Sequence, residues 1–169
     1  MKEFRNRIVA AAAFALCLQL AAPAGFAAGA DDHEALAGVK EVWAAFDITA
    51  GEGKKLLGQV NVIDETRQSL IRQGVTPHFV LAFRGPATRL IQTDQSMIKP
   101  EDKEIAAKIA AKLDQMRHEE GIQGMVQCSV AIRQQGTKAE NVIPAVKVVG
   151  NGWISLVTLQ NRGYAYIAP

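Results

Sequence analysis

The sequence has 169 residues but only two cysteines, Cys17 and Cys128. Cys17 lies in an apolar N-terminal stretch, so Cys128 is the one cysteine of the remaining chain. With a single thiol there, no internal disulfide forms, and the fold depends on its apolar core for stability. A lone cysteine is buried and inert, paired with another chain, or reactive, and the residue pattern leaves these three roles open.

The motifs of several common enzyme classes are also missing. The sequence contains no GxGxxG, no P-loop lysine motif, no HExxH, no GxSxG and no CxxC. Their absence argues against dinucleotide binding, NTP hydrolysis, zinc proteolysis, serine hydrolysis and thioredoxin-type redox chemistry. The three histidines are scattered and predict no metal site with the lone cysteine. We therefore expect neither a metal nor another cofactor.

No hydrophobic run is long enough for a comfortable membrane span. The apolar stretch Ile8–Ala22 is shorter than the about 20 residues that a transmembrane helix needs. The basic segment Met1–Arg7 precedes it and small residues follow it, which is the layout of a secretory signal peptide. We predict that residues 1–30 are this signal, cleaved near Ala28 to Ala30, and that the protein is periplasmic without stable membrane insertion. An uncleaved membrane anchor is the alternative.

The positive charge of the chain belongs to the same segment. Three of the 19 Lys and Arg and one of the 17 Asp and Glu lie before residue 31, so residues 31–169 hold 16 of each sign. The net charge of +2 and the basic isoelectric point therefore give no reason to expect nucleic acid or a membrane surface as partner.

Apolar runs of strand length alternate with helical patterns through the rest of the chain. We predict strands at 39–48, at 78–83, ending at Cys128, at 145–149 and at 163–167, and helices at 54–73, 100–119 and 153–160. Continuous apolar strands are typical of parallel sheets that are covered on both faces. The pattern predicts an α/β fold, a Rossmann-like three-layer sandwich with a mostly parallel five-stranded sheet and helices on both faces. We expect residues 31–38 to be a short flexible lead-in and residues 39–169 to form one domain.

Polar residues collect where the predicted strands end. Parallel sheets bind ligands beyond the carboxyl ends of their strands. The candidate catalytic residue is Cys128, because nearby arginines and the backbone N–H groups at the start of the following segment favour the thiolate. The candidate substrate-binding residues are Asp47, Arg84, Arg89, Ser129, Asn151 and Trp153.

Five of these seven candidates also have a purely structural interpretation. Cys128 is then a small buried hydrophobe, and Arg84 and Arg89 pair with surface carboxylates. Asp47 caps the following turn, and Trp153 is a packing or oligomer contact.

Four segments of the chain resemble the DsrE/DsrF-like family. They are Phe79–Gly85 (FVLAFRG), Val126–Ala131 (VQCSVA), Val148–Trp153 (VVGNGW) and the ending Leu159–Ile167 (LQNRGYAYI). The resemblance extends from about Val39 to Ile167, and its most specific part is the Gln-x-x-Gly-Tyr-x-Tyr-Ile ending. The chain looks like an exported branch of a family whose sulfur-transfer members are cytoplasmic.

The resemblance implies a fold, an assembly and a chemistry. Members have a Rossmann-like fold and form oligomers, often trimers or hexamers, so a homo-oligomer is expected. In the sulfur-transfer members, a cysteine that follows a sheet strand carries sulfur as a persulfide, and Cys128 matches that position. The implied function is a sulfurtransferase-like sulfur carrier that exchanges sulfur with a donor or acceptor protein. A non-catalytic, oligomeric small-ligand-binding or interaction module with a buried Cys128 is the alternative.

The predicted export signal leads to a testable expectation about where the chain is found and where it begins. When the full chain is expressed in a Gram-negative bacterium, we expect a periplasmic protein that begins at Asp31, or at Gly29 if cleavage follows Ala28. N-terminal sequencing and the intact mass measure the cleavage point. Leu16→Arg, which charges the apolar stretch, should block export. A chain that keeps residues 1–30 in the membrane fraction contradicts cleavage and supports the anchor.

Overall fold

The computed structural model describes residues 31–169. The predicted signal peptide, its predicted cleavage site and Cys17 therefore lie outside the described residues. Residues 33–38 form turns, and Leu36 packs against the main apolar core, so the lead-in is more closely attached to the domain than expected.

The domain alternates strands with helices. Its elements are β1 (Glu41–Ile48), α1 (Gly53–Arg72), β2 (Thr76–Phe83), α2 (Lys103–Met116), β3 (Ile122–Cys128), α3 (Ser129–Gln135), β4 (Lys147–Val149), α4 (Gly152–Asn161) and β5 (Ala165–Ile167). Short 3₁₀ turns occupy Gly85–Ile91, Gln95–Met97, Pro100–Asp102 and Ala139–Asn141. The predicted elements correspond to these within a few residues. The helix α3 was not anticipated, because seven residues are too few for a helical pattern to stand out.

The five strands form one sheet in the order β4-β3-β2-β1-β5. All four neighbouring pairs are parallel. This confirms the α/β class and the predicted five-stranded parallel sheet. The last five residues of both β1 and β2 are buried, as expected for strands covered on both faces.

Two apolar clusters of very different size lie on the two faces of the sheet. The larger cluster includes Phe46, Phe79 and Leu81 from the strands, Leu56 from α1 and Leu113 from α2. The smaller cluster has only three fully buried members, Ala45, Ala82 and Leu156, the last from α4. One face is therefore covered by the long helices α1 and α2, and the other mainly by the ten-residue helix α4.

A buried polar cluster joins α1 to α2. The carboxylate of Asp64 accepts hydrogen bonds from Arg67 Nε at 2.8 Å, Gln68 Nε2 at 2.9 Å and Lys112 Nζ at 2.6 Å. Arg67 also donates to the carbonyl of Glu120 at 2.9 Å. Although charged, Arg67 is buried, because its guanidinium pairs with the carboxylate of Asp64.

The described part of the chain contains no helix that is long and apolar enough to cross a membrane. Within residues 31–169 there is also no group of three or more His, Cys, Asp or Glu side chains arranged to hold a metal ion.

The Asp64 cluster predicts how the fold responds to mutation. We expect Asp64→Asn to lower the free energy of unfolding by about 3 kcal/mol, because it removes the close buried counter-charge of Arg67 and leaves only the 3.5 Å ion pair with Glu119. Asp114→Asn is the matched control, since Asp114 pairs with Arg117 on the surface and such pairs contribute about 0–1 kcal/mol. Urea unfolding at neutral pH measures both. Equal losses from the two variants would contradict the assigned role of Asp64.

The same cluster predicts how the stability of the fold depends on pH. Burial alone would raise the pKa of Asp64, but the hydrogen bonds from Lys112 and Arg67 outweigh it and lower the pKa below its usual value. A lowered pKa stabilises the folded state above the unfolded-state pKa of about 3.9, and this stabilisation is lost as the pH falls through the folded-state value. Wild-type stability should therefore fall in acid more than that of Asp64→Asn.

Candidate functional site

Side-chain alternation along the strands explains which residues meet at the candidate site. Ala45 of β1, Ala82 of β2 and Val126 of β3 pack with Leu156 of α4 on one face of the sheet. Side chains two residues further along each strand share that face. The residues at those positions are Asp47, Arg84 and Cys128. Because the strands are parallel, the three side chains reach the same edge of the sheet, on the α4 side.

The carboxylate of Asp47 is the centre of the site. Arg84 Nε donates to Asp47 Oδ1 at 2.6 Å, and Arg84 Nη2 donates to Oδ2. The Tyr166 hydroxyl also donates to Oδ2, at 2.6 Å. The Asp47 side chain is 3% exposed and the Arg84 side chain 20% exposed. One buried carboxylate thus joins the end of β1 to the residue after β2 and to β5.

The three side chains shift one another's pKa values. Burial would raise the pKa of Asp47, but the hydrogen bonds from Arg84 and Tyr166 overcome this and lower it. The hydrogen bond to Asp47 raises the pKa of Arg84 and, likewise, the pKa of Tyr166. Asp47 is therefore ionised at neutral pH, while Arg84 remains charged and Tyr166 remains a protonated donor.

Gly152, the first residue of α4, packs directly on this site. A Cβ added to Gly152 would lie 3.0 Å from Arg84 Cδ and 3.0 Å from Cys128 Cβ. Contacts this close are rare, so a side chain here would need Arg84 or Cys128 to move by a few tenths of an ångström. The next residue, Trp153, has its ring centroid 5.5 Å from the Arg84 guanidinium carbon, a cation–π distance.

Cys128 is a free thiol at the last position of β3, with α3 starting at the next residue. It is buried, with 5% of its surface exposed. The neighbouring side chain of Gln127 points to the opposite face, where its Nε2 donates to Thr88 Oγ1 at 2.9 Å and to the Cys128 carbonyl at 3.1 Å. These bonds fix the end of β3 to the 3₁₀ turn Gly85–Ile91.

Two predicted binding residues have structural partners instead. The hydroxyl of Ser129 donates to the Gly150 carbonyl at 2.8 Å and ties α3 to the loop before α4. Asn151 Oδ1 accepts from the backbone N–H of Trp153 at 3.0 Å and caps α4.

Arg89 differs from Arg84. Its side chain is exposed on the 3₁₀ turn, and no hydrogen bond or ion pair joins it to another residue of the range 31–169. Of the seven predicted residues, the structure brings Asp47, Arg84, Cys128 and Trp153 together, and it keeps Arg89 outside this group.

Three further residues were missed by sequence reasoning. Tyr166 and Gly152 contact the site, and Gln127 fixes the strand that ends in Cys128. The signal for Tyr166 was its place on the last strand, since it pairs with Ala45, two residues before Asp47. The signal for Gly152 was a glycine beside the helix cap, but nothing in the sequence indicates which side chains it contacts.

A separate open groove of about 530 Å³ lies beside α2. Small side chains of α2, including Ala106 and Ala110, and the loop around Ile143 line it. None of the predicted site residues contributes to this groove.

Comparison with known proteins supports the fold and leaves the function open. No protein-family model matches the chain. A protein of Aquifex aeolicus, described as uncharacterized, is 23% identical over 124 residues, which are 73% of this chain and 54% of that protein. The chain thus spans about half the length of this relative. A solved structure of a protein of unknown function from Methanobacterium thermoautotrophicum has a TM-score of 0.57 at 18% identity, covering 77% of this chain and 99% of that one.

The packing of Gly152 gives a test of the site. We expect Gly152→Ala to lower the free energy of unfolding by about 1–3 kcal/mol, because the added methyl group would lie only 3.0 Å from Arg84 and Cys128 and crowd both. Gly150→Ala is the control in the same loop, since a methyl group there meets no atom within 4 Å. Denaturant unfolding measures stability. The fluorescence of Trp153 should also change in the first variant only, as the ring moves relative to Arg84. If the two variants have the same stability and fluorescence, the close packing of Gly152 on Arg84 and Cys128 is contradicted.

Proposed function

We propose that the chain is a periplasmic sulfur carrier of the DsrE/DsrF-like type, in which Cys128 holds sulfur as a persulfide. The observation that supports this most is the meeting of Cys128, Arg84 and the first turn of α4 at the carboxyl end of an interior strand. Cys128 is the one thiol of residues 31–169, so it is the one sulfur nucleophile in the domain.

The transfer step uses a sulfane-sulfur donor. The Cys128 thiolate attacks the outer sulfur of thiosulfate, a new S–S bond forms at Cys128, and the sulfur–sulfur bond of the donor breaks to release sulfite. The bonding electron pair leaves with sulfite, so no separate oxidant or reductant is needed. A persulfide donor reacts in the same way and leaves as a thiolate. An acceptor thiolate then takes the outer sulfur and regenerates Cys128.

Arg84 is the residue that positions the donor. A guanidinium has five N–H donors, and two of those on Arg84 bond to Asp47. The remaining N–H groups bind an oxygen of the anionic donor, as guanidinium suits oxyanions. Asp47 and Tyr166 hold Arg84 in place, and Trp153 covers one side of it.

Access to the thiol requires a small movement. Only 5% of Cys128 is exposed, and Gly152 lies against its Cβ. The donor therefore reaches the sulfur when the first turn of α4 moves away from the end of β3. A donor or acceptor protein that binds near α4 is the proposed partner, and neither a metal nor another cofactor takes part.

A binding module is the second candidate function. In this alternative Cys128 is a packing residue, and the edge of the sheet binds a small ligand without chemistry. The burial of Cys128 and the pairing of Arg84 with Asp47 favour it, because both groups are already satisfied within the protein.

Sulfur loading distinguishes the two functions. In a Cys17→Ser chain, which removes the other thiol, we expect incubation with thiosulfate or polysulfide to add the mass of one sulfur atom. Adding Cys128→Ala should abolish the gain. Arg84→Lys keeps a charge beside Asp47 but loses the planar array of guanidinium N–H donors. Loading from thiosulfate should therefore slow by about tenfold, which corresponds to the loss of one charge-assisted hydrogen bond of about 1.4 kcal/mol. Arg89→Lys is the matched control and should load normally.

Intact-protein mass spectrometry gives the readout, and iodoacetamide gives an independent one. A thiol that gains no sulfur and is alkylated only after unfolding contradicts the carrier and supports the binding module. Loading that persists in Cys128→Ala also contradicts the carrier, because the sulfur then lies elsewhere.

A further inference from the structure

The helix α4 is uncharged around its whole circumference. Residues 148–161 contain no Asp, Glu, Lys or Arg. The polar side of α4 is narrow, because Ser155 and Thr158 lie three residues apart on one side of the helix. Yet the buried residues of α4 are only Gly152 and Leu156. The apolar residues of α4 therefore extend beyond the side that packs on the sheet, and Trp153, Ile154 and Val157 are left exposed.

The open side of α4 carries exposed apolar side chains. Trp153 is 65% exposed, Ile154 66% and Val157 56%, and their spacing puts them on one side of the helix. Tyr166, 45% exposed, adjoins Trp153 through the Arg84–Asp47 pair that both side chains contact. We call Trp153, Ile154, Val157 and Tyr166 the α4 patch.

We propose that the α4 patch binds a second copy of this chain, with α4 of one copy against α4 of the other about a twofold axis. This inference does not depend on the sulfur chemistry proposed above. A twofold contact brings the same surface of both copies together, so an uncharged apolar surface is complementary to itself.

The size of the α4 patch fits such a contact. Its four side chains leave roughly 450 Å² of apolar surface exposed, given that large aromatic side chains each bury about 150–250 Å². A standard interface buries about 800 Å² on each partner, of which about 56–65% is apolar, or roughly 450–520 Å². The patch therefore supplies the apolar centre of a standard interface without any other surface.

The charges of the chain favour a second copy over other occupants. A membrane-surface helix has Lys and Arg beside its apolar face, and residues 148–161 have none. Residues 31–169 carry equal numbers of each sign, so two copies do not repel each other through net charge.

A docked copy also reaches the candidate site. Trp153 stacks on Arg84, whose side chain is still 20% exposed. A second copy on the α4 patch buries Trp153 and covers the adjoining edge of Arg84. It also holds the first turn of α4 against Cys128.

Light scattering after size-exclusion chromatography tests the proposal. We expect the wild-type chain to have at least twice the mass of one copy, and Val157→Glu to weaken association by at least about tenfold, because two glutamates then face each other across the twofold axis. Val62→Glu is the matched control. Val62 is a valine of α1 with similar exposure, 61%, and its substitution should leave the mass unchanged.

Fluorescence gives a second readout that leaves the interface intact. In Trp43→Phe the remaining tryptophan is Trp153, and its quenching by acrylamide should fall at least twofold between dilute and concentrated protein. A wild-type chain that stays monomeric overturns the proposal. So does an assembly that Val157→Glu leaves intact, or one in which the quenching of Trp153 does not change, since either means that another surface forms the contact.

Discussion

The burial of one carboxylate, Asp47, constrains the whole edge of the sheet. A buried carboxylate is costly unless charged and hydrogen-bonded partners compensate it. Here the partners are Arg84, which follows β2, and Tyr166, which belongs to β5. Satisfying Asp47 therefore fixes the backbone after β2 and holds the short C-terminal strand on β1. Once Arg84 is fixed, Trp153 stacks on it and Gly152 meets Cys128.

The pairing also sets the electrostatics of the site. Because Asp47 offsets the charge of Arg84, the pair offers directional N–H donors and little net positive field. The hydrogen bond to Asp47 raises the pKa of Tyr166, so the phenol remains a donor throughout the neutral range. In the proposed function, a ligand at this edge is therefore recognised by the geometry of the unused N–H groups of Arg84. The exposed Arg89, in contrast, provides an ordinary solvated charge.

Sequence periodicity predicted the frame of the molecule well, since buried parallel strands and long amphipathic helices leave strong patterns. It also predicted which strand ends carry polar groups, so Asp47, Arg84 and Cys128 were named before their contacts were visible. It could not separate Arg84 from Arg89, because the difference is a partner contributed by another strand. Tyr166 was missed for the same reason, because a hydrogen bond to a residue far along the chain has no local signal. The hydrogen bond of the buried Arg67 to the Glu120 carbonyl is equally distant in sequence. The short helix α3 falls below the length at which periodicity becomes visible.

The unequal covering of the sheet connects the proposed chemistry to the proposed assembly. The α1–α2 face has a large core, whereas α4 contributes Leu156 alone as a buried hydrophobic side chain. An element with few buried contacts opens at low free-energy cost, so α4 is the element best able to uncover Cys128. Contacts on the α4 patch add to the burial of α4 and oppose that opening. Assembly through α4 and access to Cys128 therefore compete for the same helix, and a ligand that favours one disfavours the other.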